Sequence, residues 1–182
     1  MAVSKNWQLS PLEYNIDLFV TPILFSAGLS LAPTSFLQII AGILLWSFAE
    51  YAVHRFSFHR RFRRDHWAHH ADPRAYIGIS GIYLGIAYAL LLIPVHWAGL
   101  QSAYSGYMLG YFLYVSLHYA IHRPEYHFGP LIRQLARNHE MHHQRGIEKN
   151  FGVSSPLWDF IFMTYACPAR YSPRPVPDKK TT

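Results

Sequence analysis

A single cysteine, Cys167, stands in the 182 residues, so no disulfide can form within the chain and no cysteine-ligated iron–sulfur cluster can be built. Charge is missing from Leu18 to Ala49, and lysine and arginine are missing from the stretches around Pro33 and Gly99–Gln101. No glycine-rich nucleotide fingerprint occurs, which argues against an NAD(P)H site of the chain's own. The first fifteen residues, MAVSKNWQLSPLEYN, lack the basic-then-apolar pattern of a cleaved signal peptide. With pI about 9.5 and formal charge +6, the composition invites a nucleic-acid reading. The distribution argues against nucleic acid, because the basic residues flank apolar runs as they do at a membrane surface.

Histidine is what the chain has in excess. Residues His54 to His70 read HRFSFHRRFRRDHWAHH, with histidines at His54, His59, His66, His69 and His70. A second block carries His118 and His122, then His139, His142 and His143. Ten of the twelve histidines thus fall into two pair-then-triplet blocks, each following a long apolar stretch. His96 and His127 stand apart and read as packed or solvated residues.

The apolar runs predict an all-α integral membrane protein of about four transmembrane helices in two hairpins, with a cytoplasmic histidine-rich helical cap. A spanning helix needs about 20 apolar residues. The segment before Pro33 is short for that and contains Pro22, so it either borrows flanking residues or is re-entrant. A helix from Thr34 to about His59 is long enough to cross and project beyond, at about 1.5 Å per residue. Ile77–Leu100 and Ser102–Ile121 form the second hairpin, ended by Pro124. All sixteen lysines and arginines lie outside the two turns, which places both termini and the histidine clusters on the cytoplasmic side of a multi-pass protein. The run Arg60, Arg61, Arg63, Arg64 reads as a topology-setting, headgroup-contacting segment. Residues 1–168 form one membrane-embedded domain, and the proline-rich, charged 169–182 reads as a disordered tail. Leu157–Tyr165 is too short to span and is expected to lie on the membrane surface or the cap.

On a regular helix, residues three and four apart share a face, so each H-x2-H-H triplet is expected to point one way, as is the pair His118 and His122. His54 and His59, five apart, are about 140° off, so they either flank a site or need a π-type irregularity or a helix end between them. Neutral imidazole suits Fe, Zn, Cu and Ni, and ten imidazoles exceed what one ion accepts, so two neighbouring ions are expected. Carboxylates Glu50, Asp65, Asp72, Glu140 and Asp159, with Asn150, are candidates for fixing the imidazole tautomers. A ferritin-like di-iron bundle would need Glu-x-x-His from two helices, and only Glu140…His143 fits. Phe56, Phe58, Trp67, Phe112 and Tyr119 are candidate walls of an apolar substrate channel. Two other classes remain open. His139-Glu140-Met141-His142-His143 matches the zinc-protease signature H-E-x-x-H, with Glu140 as general base, but it leaves eight histidines without a role. A non-catalytic metal-binding membrane protein would share the histidines without the chemistry.

The segments Glu50-Tyr-Ala-Val-His-Arg-Phe-Ser-Phe-His59, His118-Tyr-Ala-Ile-His122, His139-Glu-Met-His-His143 and Asn150-Phe-Gly-Val-Ser-Ser-Pro-Leu-Trp-Asp159 resemble the boxes of the fatty acid hydroxylase/sterol desaturase superfamily, closest to fatty acid 2-hydroxylases. The resemblance covers about Trp46 to Tyr165. It implies a membrane-bound oxidoreductase that uses O2 and two external electrons to hydroxylate or desaturate a fatty acyl, sterol or isoprenoid chain at a histidine-ligated di-iron centre. Zinc can replace iron in a purified sample. The resemblance also implies a separate electron-donor protein, cytochrome b5-like or ferredoxin-like.

Overall fold

The computed structural model describes residues 3–123, 125–144 and 148–167, so the expected disordered tail lies outside the described residues. Those residues are all helical apart from connecting segments and one isolated bridge, Gln8 to Ile77. The chain opens with a 3-10 turn, Lys5–Trp7, and a short helix α1 (Pro11–Asn15). Ser10 starts α1 through a capping box, accepting from Glu13 N while the Glu13 carboxylate accepts from Ser10 N. There follow α2 (Asp17–Ser30), α3 (Phe36–Ala52), a π-helical continuation Val53–Arg61, and α4 (Arg63–Ala71). Then come α5 (Gly81–Trp97), α6 (Gln101–Ile121), α7 (Pro130–His142) and α8 (Leu157–Ile161).

Short turns join α2 to α3 and α5 to α6, as the hairpin expectation requires, but α6 packs against both α2 and α3. Ser35 caps α3 by accepting from Gln38 N, and Gly99 turns the chain between α5 and α6 at φ +70°, a conformation that favours glycine. Helix α6 packs along α3 and α2, and α5 lies against α2. The close approach of α3 to α6 depends on Gly42, where a Cβ would stand 2.7 Å from Tyr107 N. Below the histidines the core is aromatic: Trp46 stacks on Tyr111 at 4.4 Å, beside Leu24, Tyr104 and Met108.

The outward faces of the same helices are apolar. Phe36 and Leu37 are each 78% exposed, and Ile23, Leu45, Tyr83 and Leu90 also face outward. So much continuous exposed apolar surface is what a lipid environment covers. Among the described residues, one helix, Phe36–Arg61, is long and apolar enough to cross a membrane, while Asp17–Ser30 and Gly81–Trp97 are apolar but shorter. Helix α2 runs through Pro22 without ending. Helix α8 lies beside α3, with Trp158 stacked edge-on to Phe48 at 4.8 Å and donating to Ser47 Oγ at 3.0 Å.

Candidate metal centre

The five-residue step from His54 to His59 is accommodated as a π-helix. Over Val53–Arg61 the helix widens, and its last bond runs from Phe62 N to Ser57 O at 2.8 Å, a five-residue interval. A π turn brings residues five apart to one side, and such turns recur at functional sites. Both His54 and His59 are therefore buried and point into the same space.

Ten histidines form two groups of five. In the first are His54, His59, His66, His70 and His142; in the second are His69, His118, His122, His139 and His143; within each group the ligand atoms lie within 4.8 Å of one another. The expectation that each triplet points one way is corrected here. The outer pair of each triplet, four residues apart, stays with its own block, and the middle member crosses over. His69 joins the later block and His142 joins the earlier one. The physical reason is the fan of directions on a helix: neighbours at three and four residues flank one axis by opposite angles, so two adjacent sites between α4 and α7 draw one each. The groups adjoin, with the His70 and His143 rings stacked at 4.2 Å.

The spacing fits metal ligation. Nε2 of His66 stands 3.0 Å from Nε2 of both His54 and His70, and His59 Nε2 is 3.1 Å from His142 Nε2. In the second group, His122 Nε2 is 3.2 Å from His118 Nε2 and 3.1 Å from His139 Nε2. Two nitrogens bound to one ion at about 2.1 Å and roughly 90–100° apart would stand about 3.0–3.2 Å from each other. Both ring nitrogens of His69 and His143 are buried without a hydrogen-bond partner among the described residues. Unpaired buried polar atoms are costly, and an ion removes that cost.

Electrostatics point the same way. Burial first, and neighbouring histidines second, hold His66, His139 and His142 well below the usual imidazole range. The same causes lower His69 to about 3 and His70 to about 2. At neutral pH these rings are uncharged and carry the lone pair a metal requires.

The expected carboxylate partners of the imidazoles are absent from those positions among the described residues. His54 Nδ1 donates to the carbonyl of Phe151 at 2.6 Å, and His142 Nδ1 donates to the carbonyl of Lys149 at 2.7 Å. Both Nε2 atoms are thereby turned inward. The carboxylates act one layer further out, on the loop that carries those carbonyls. Asp159, fully buried, accepts from Phe151 N at 2.9 Å, Gly152 N at 2.8 Å and Thr164 Oγ1 at 2.7 Å. Glu50 accepts from Val153 N at 2.5 Å, Ser154 N at 2.9 Å and the Ser154 hydroxyl. Asn150 takes φ +56° and ties the loop to Asn138 O and Ala166. Asp65 receives Ser4 N at 2.6 Å, and the exposed Asp72 receives Arg74 N at 3.3 Å. Glu140 is exposed on α7 and belongs to neither group, while His139 and His142 beside it are buried. A general base of a zinc protease would have to face the metal, so the H-E-x-x-H reading loses its base. His96 and His127 are exposed and outside both groups.

A cavity of about 330 Å³ opens beside both groups, reaching His54, His66, His69 and His118. Of the expected walls it is lined by Phe58 and Tyr119; Phe56 is exposed, and Trp67 packs on His70 at 4.9 Å, outside the lining, as is Phe112. Trp7, Trp46, Tyr88, Tyr111 and Tyr114 add further aromatic wall, beside aliphatic residues such as Leu84 and Val115 and the carboxylate residues Asp17 and Glu50. Trp7 was not legible as a site residue, because nothing in its sequence neighbourhood marks it; the Lys149 and Phe151 carbonyls were hidden for a different reason, being backbone.

Residues 39–164 match the family model described as fatty acid hydroxylase. A dihydroceramide fatty acyl 2-hydroxylase of Arabidopsis thaliana is 29% identical over 177 residues, covering 87% of this chain and 72% of its own length. A fatty acid 2-hydroxylase of Macaca fascicularis is 30% identical over 163 residues, covering 80% of this chain and 43% of its own. The chain therefore spans less than half the length of the macaque protein. Among solved structures, full-length scs7p, with only its hydroxylase domain visible, superposes with a TM-score of 0.63 at 24% identity, covering 86% of this chain and 67% of that one.

Proposed function

The chain belongs to the fatty acid hydroxylase family, and from that premise we propose that it is a membrane-bound, O2-dependent lipid hydroxylase with one transition-metal ion in each histidine group. The observation that carries the reading is the pair of five-histidine groups sharing one aromatic cavity. Five imidazoles are one more than a structural zinc site takes. Zinc, moreover, has no redox chemistry to oxidise a C–H bond, which supports iron. When bound, two redox-active ions would supply the O2 activation that no amino-acid side chain provides.

The chain's own residues do the rest. The imidazoles would hold the ions, and the Lys149 and Phe151 carbonyls fix the tautomers of His142 and His54. Glu50 and Asp159 fasten the loop carrying those carbonyls. The cavity would hold the chain segment to be oxidised beside His54, His66, His69 and His118. Overall, a C–H bond, O2, two electrons and two protons become C–OH and water. The electrons come from a separate small redox protein, and the substrate is a fatty acyl chain of a membrane lipid, as the names of the relatives suggest.

Four crossings with both termini and the metal centre on the cytoplasmic face complete the reading. Support comes from the absence of lysine and arginine in the turns at Pro33 and Gly99, and from the outward apolar faces of α2, α3 and α5. Lipid mass spectrometry under 18O2, comparing cells expressing wild type with His142→Ala, tests the activity. Lipids heavier by one labelled oxygen, seen with wild type alone, are expected. Bound metal with unaltered lipids would leave a metal-binding membrane protein, and peptide cleavage independent of O2 would leave a protease.

A further inference from the structure

The N-terminal segment lies outside the stretch that matches the family model, which begins at residue 39, yet it lines the cavity beside the histidines. Ser4 ties it to α4, donating its N–H to Asp65 Oδ1 at 2.6 Å and its hydroxyl to Asp65 Oδ2 at 2.9 Å, one residue before His66. On the other side Gly78 N donates to Trp7 O at 3.0 Å and Leu9 N to Tyr76 O at 2.9 Å. The segment is thus a strap stitched to the histidine cap at one edge and to the approach of α5 at the other.

Trp7 hangs from the middle of this strap and is 8% exposed. Its indole meets Phe58 edge-on at 5.6 Å and Phe62 at 5.3 Å, and Phe58 in turn packs on the His66 ring at 5.2 Å. Trp7 and Phe58 both line the cavity beside His54 and His66. At about 330 Å³ the cavity lies at the small end of ligand pockets. A long lipid therefore lies mostly outside it, and only the segment around the reacting carbon is enclosed. The wall beside His54 and His66, where Trp7 backs Phe58, then decides how far the chain advances.

We propose that Trp7 is a specificity-determining residue: its indole sets how deep a lipid chain slides past His54 and His66, and hence which carbon faces the metal centre. The inference rests on the lipid-hydroxylase reading. Truncating a wall residue changes discrimination between neighbouring positions by about tenfold or more. With the full chain expressed in membranes, wild type and Trp7→Phe should place oxygen on one carbon. Trp7→Ala should raise the share at neighbouring carbons about tenfold while keeping the wild-type metal content. An unchanged positional profile in Trp7→Ala at full metal content overturns the proposal.

A second measurement needs no turnover and no variant. A fatty acid carrying a photoreactive diazirine along its chain is crosslinked to the wild-type protein, and the adducts are mapped. Label within residues 6–9 as well as within Tyr111–Tyr119 is the expected result. Label confined to the α6 residues overturns the role of Trp7. Label at both places in a protein that leaves lipids unoxidised overturns the hydroxylase reading and leaves Trp7 as a wall of the lipid site.

Discussion

Replacing Asp159 by asparagine keeps the side chain's shape and removes one of its functions. The carboxylate holds Phe151 N through Oδ1 and Gly152 N through Oδ2, with Thr164 Oγ1 also on Oδ1. Asparagine retains one acceptor oxygen, so the Phe151 and Thr164 bonds can persist while Gly152 N faces an NH2 donor. A hydrogen bond to a charged group contributes about 1.5–3 kcal/mol, and a buried donor without a partner costs about 1–3 kcal/mol. A loss of about 2 kcal/mol in the ordering of residues 150–152 corresponds to roughly thirtyfold in an equilibrium constant. That ordering fixes the Phe151 carbonyl on His54 directly, and through the same loop the Lys149 carbonyl on His142; both rings belong to the first group. The second group has no hydrogen bond to this loop among the described residues. Metal affinity should therefore fall about 10–100-fold at the first site and little at the second. Titration of the purified protein with a competing chelator, followed by metal analysis, reads this as two wild-type equivalents against one retained equivalent at intermediate chelator. Release of both ions together, or of neither, refutes the argument that the loop serves the first group.

The crossing of the triplets makes a paired prediction: His69→Ala should weaken the ion held by His118, His122, His139 and His143, and His142→Ala the ion held by His54, His59, His66 and His70, as metal-edge spectroscopy of the two variants would show. Acid should destabilise the metal-free protein. The buried His69 and His70 sit at about 3 and about 2 when folded, below the usual unfolded value near 6.5. The unfolded chain then binds more protons below about pH 6.5, so stability is full above that pH and is lost progressively as pH falls toward 3. Thermal unfolding at pH 7.5 and 5 checks the sign. Gly42→Ala should cost about 1–3 kcal/mol, because the added Cβ meets the Tyr107 and Ala103 backbone on α6, and a fall in melting temperature with unchanged metal stoichiometry is the expected result. Glu140→Gln, on an exposed side chain, should leave lipid hydroxylation within about twofold of wild type; a peptide cleavage present in wild type and abolished by Glu140→Gln would restore the base of the protease reading.

Much of this protein is written locally. Apolar runs broken at Pro33 and Gly99 place the hairpins, because helices and turns obey rules that span a few residues. The odd interval from His54 to His59 marks a departure from a regular helix if both rings serve one site, and the structure takes the π-helical alternative, whose wider turn puts both rings on one side. Histidine, a side chain with its own chemistry, marks the centre wherever it stands.

Three features needed the tertiary structure. The division of the ten histidines depends on the angle at which α4 meets α7, and no interval within either helix encodes that angle. Trp7 joins the site by being strapped to Asp65 and Gly78, contacts some 60 to 70 residues away in the chain. The groups that orient His54 and His142 are backbone carbonyls, which every residue possesses, so no amino-acid type can signal them; only a fold fastened by Glu50 and Asp159 brings those two carbonyls to those two rings.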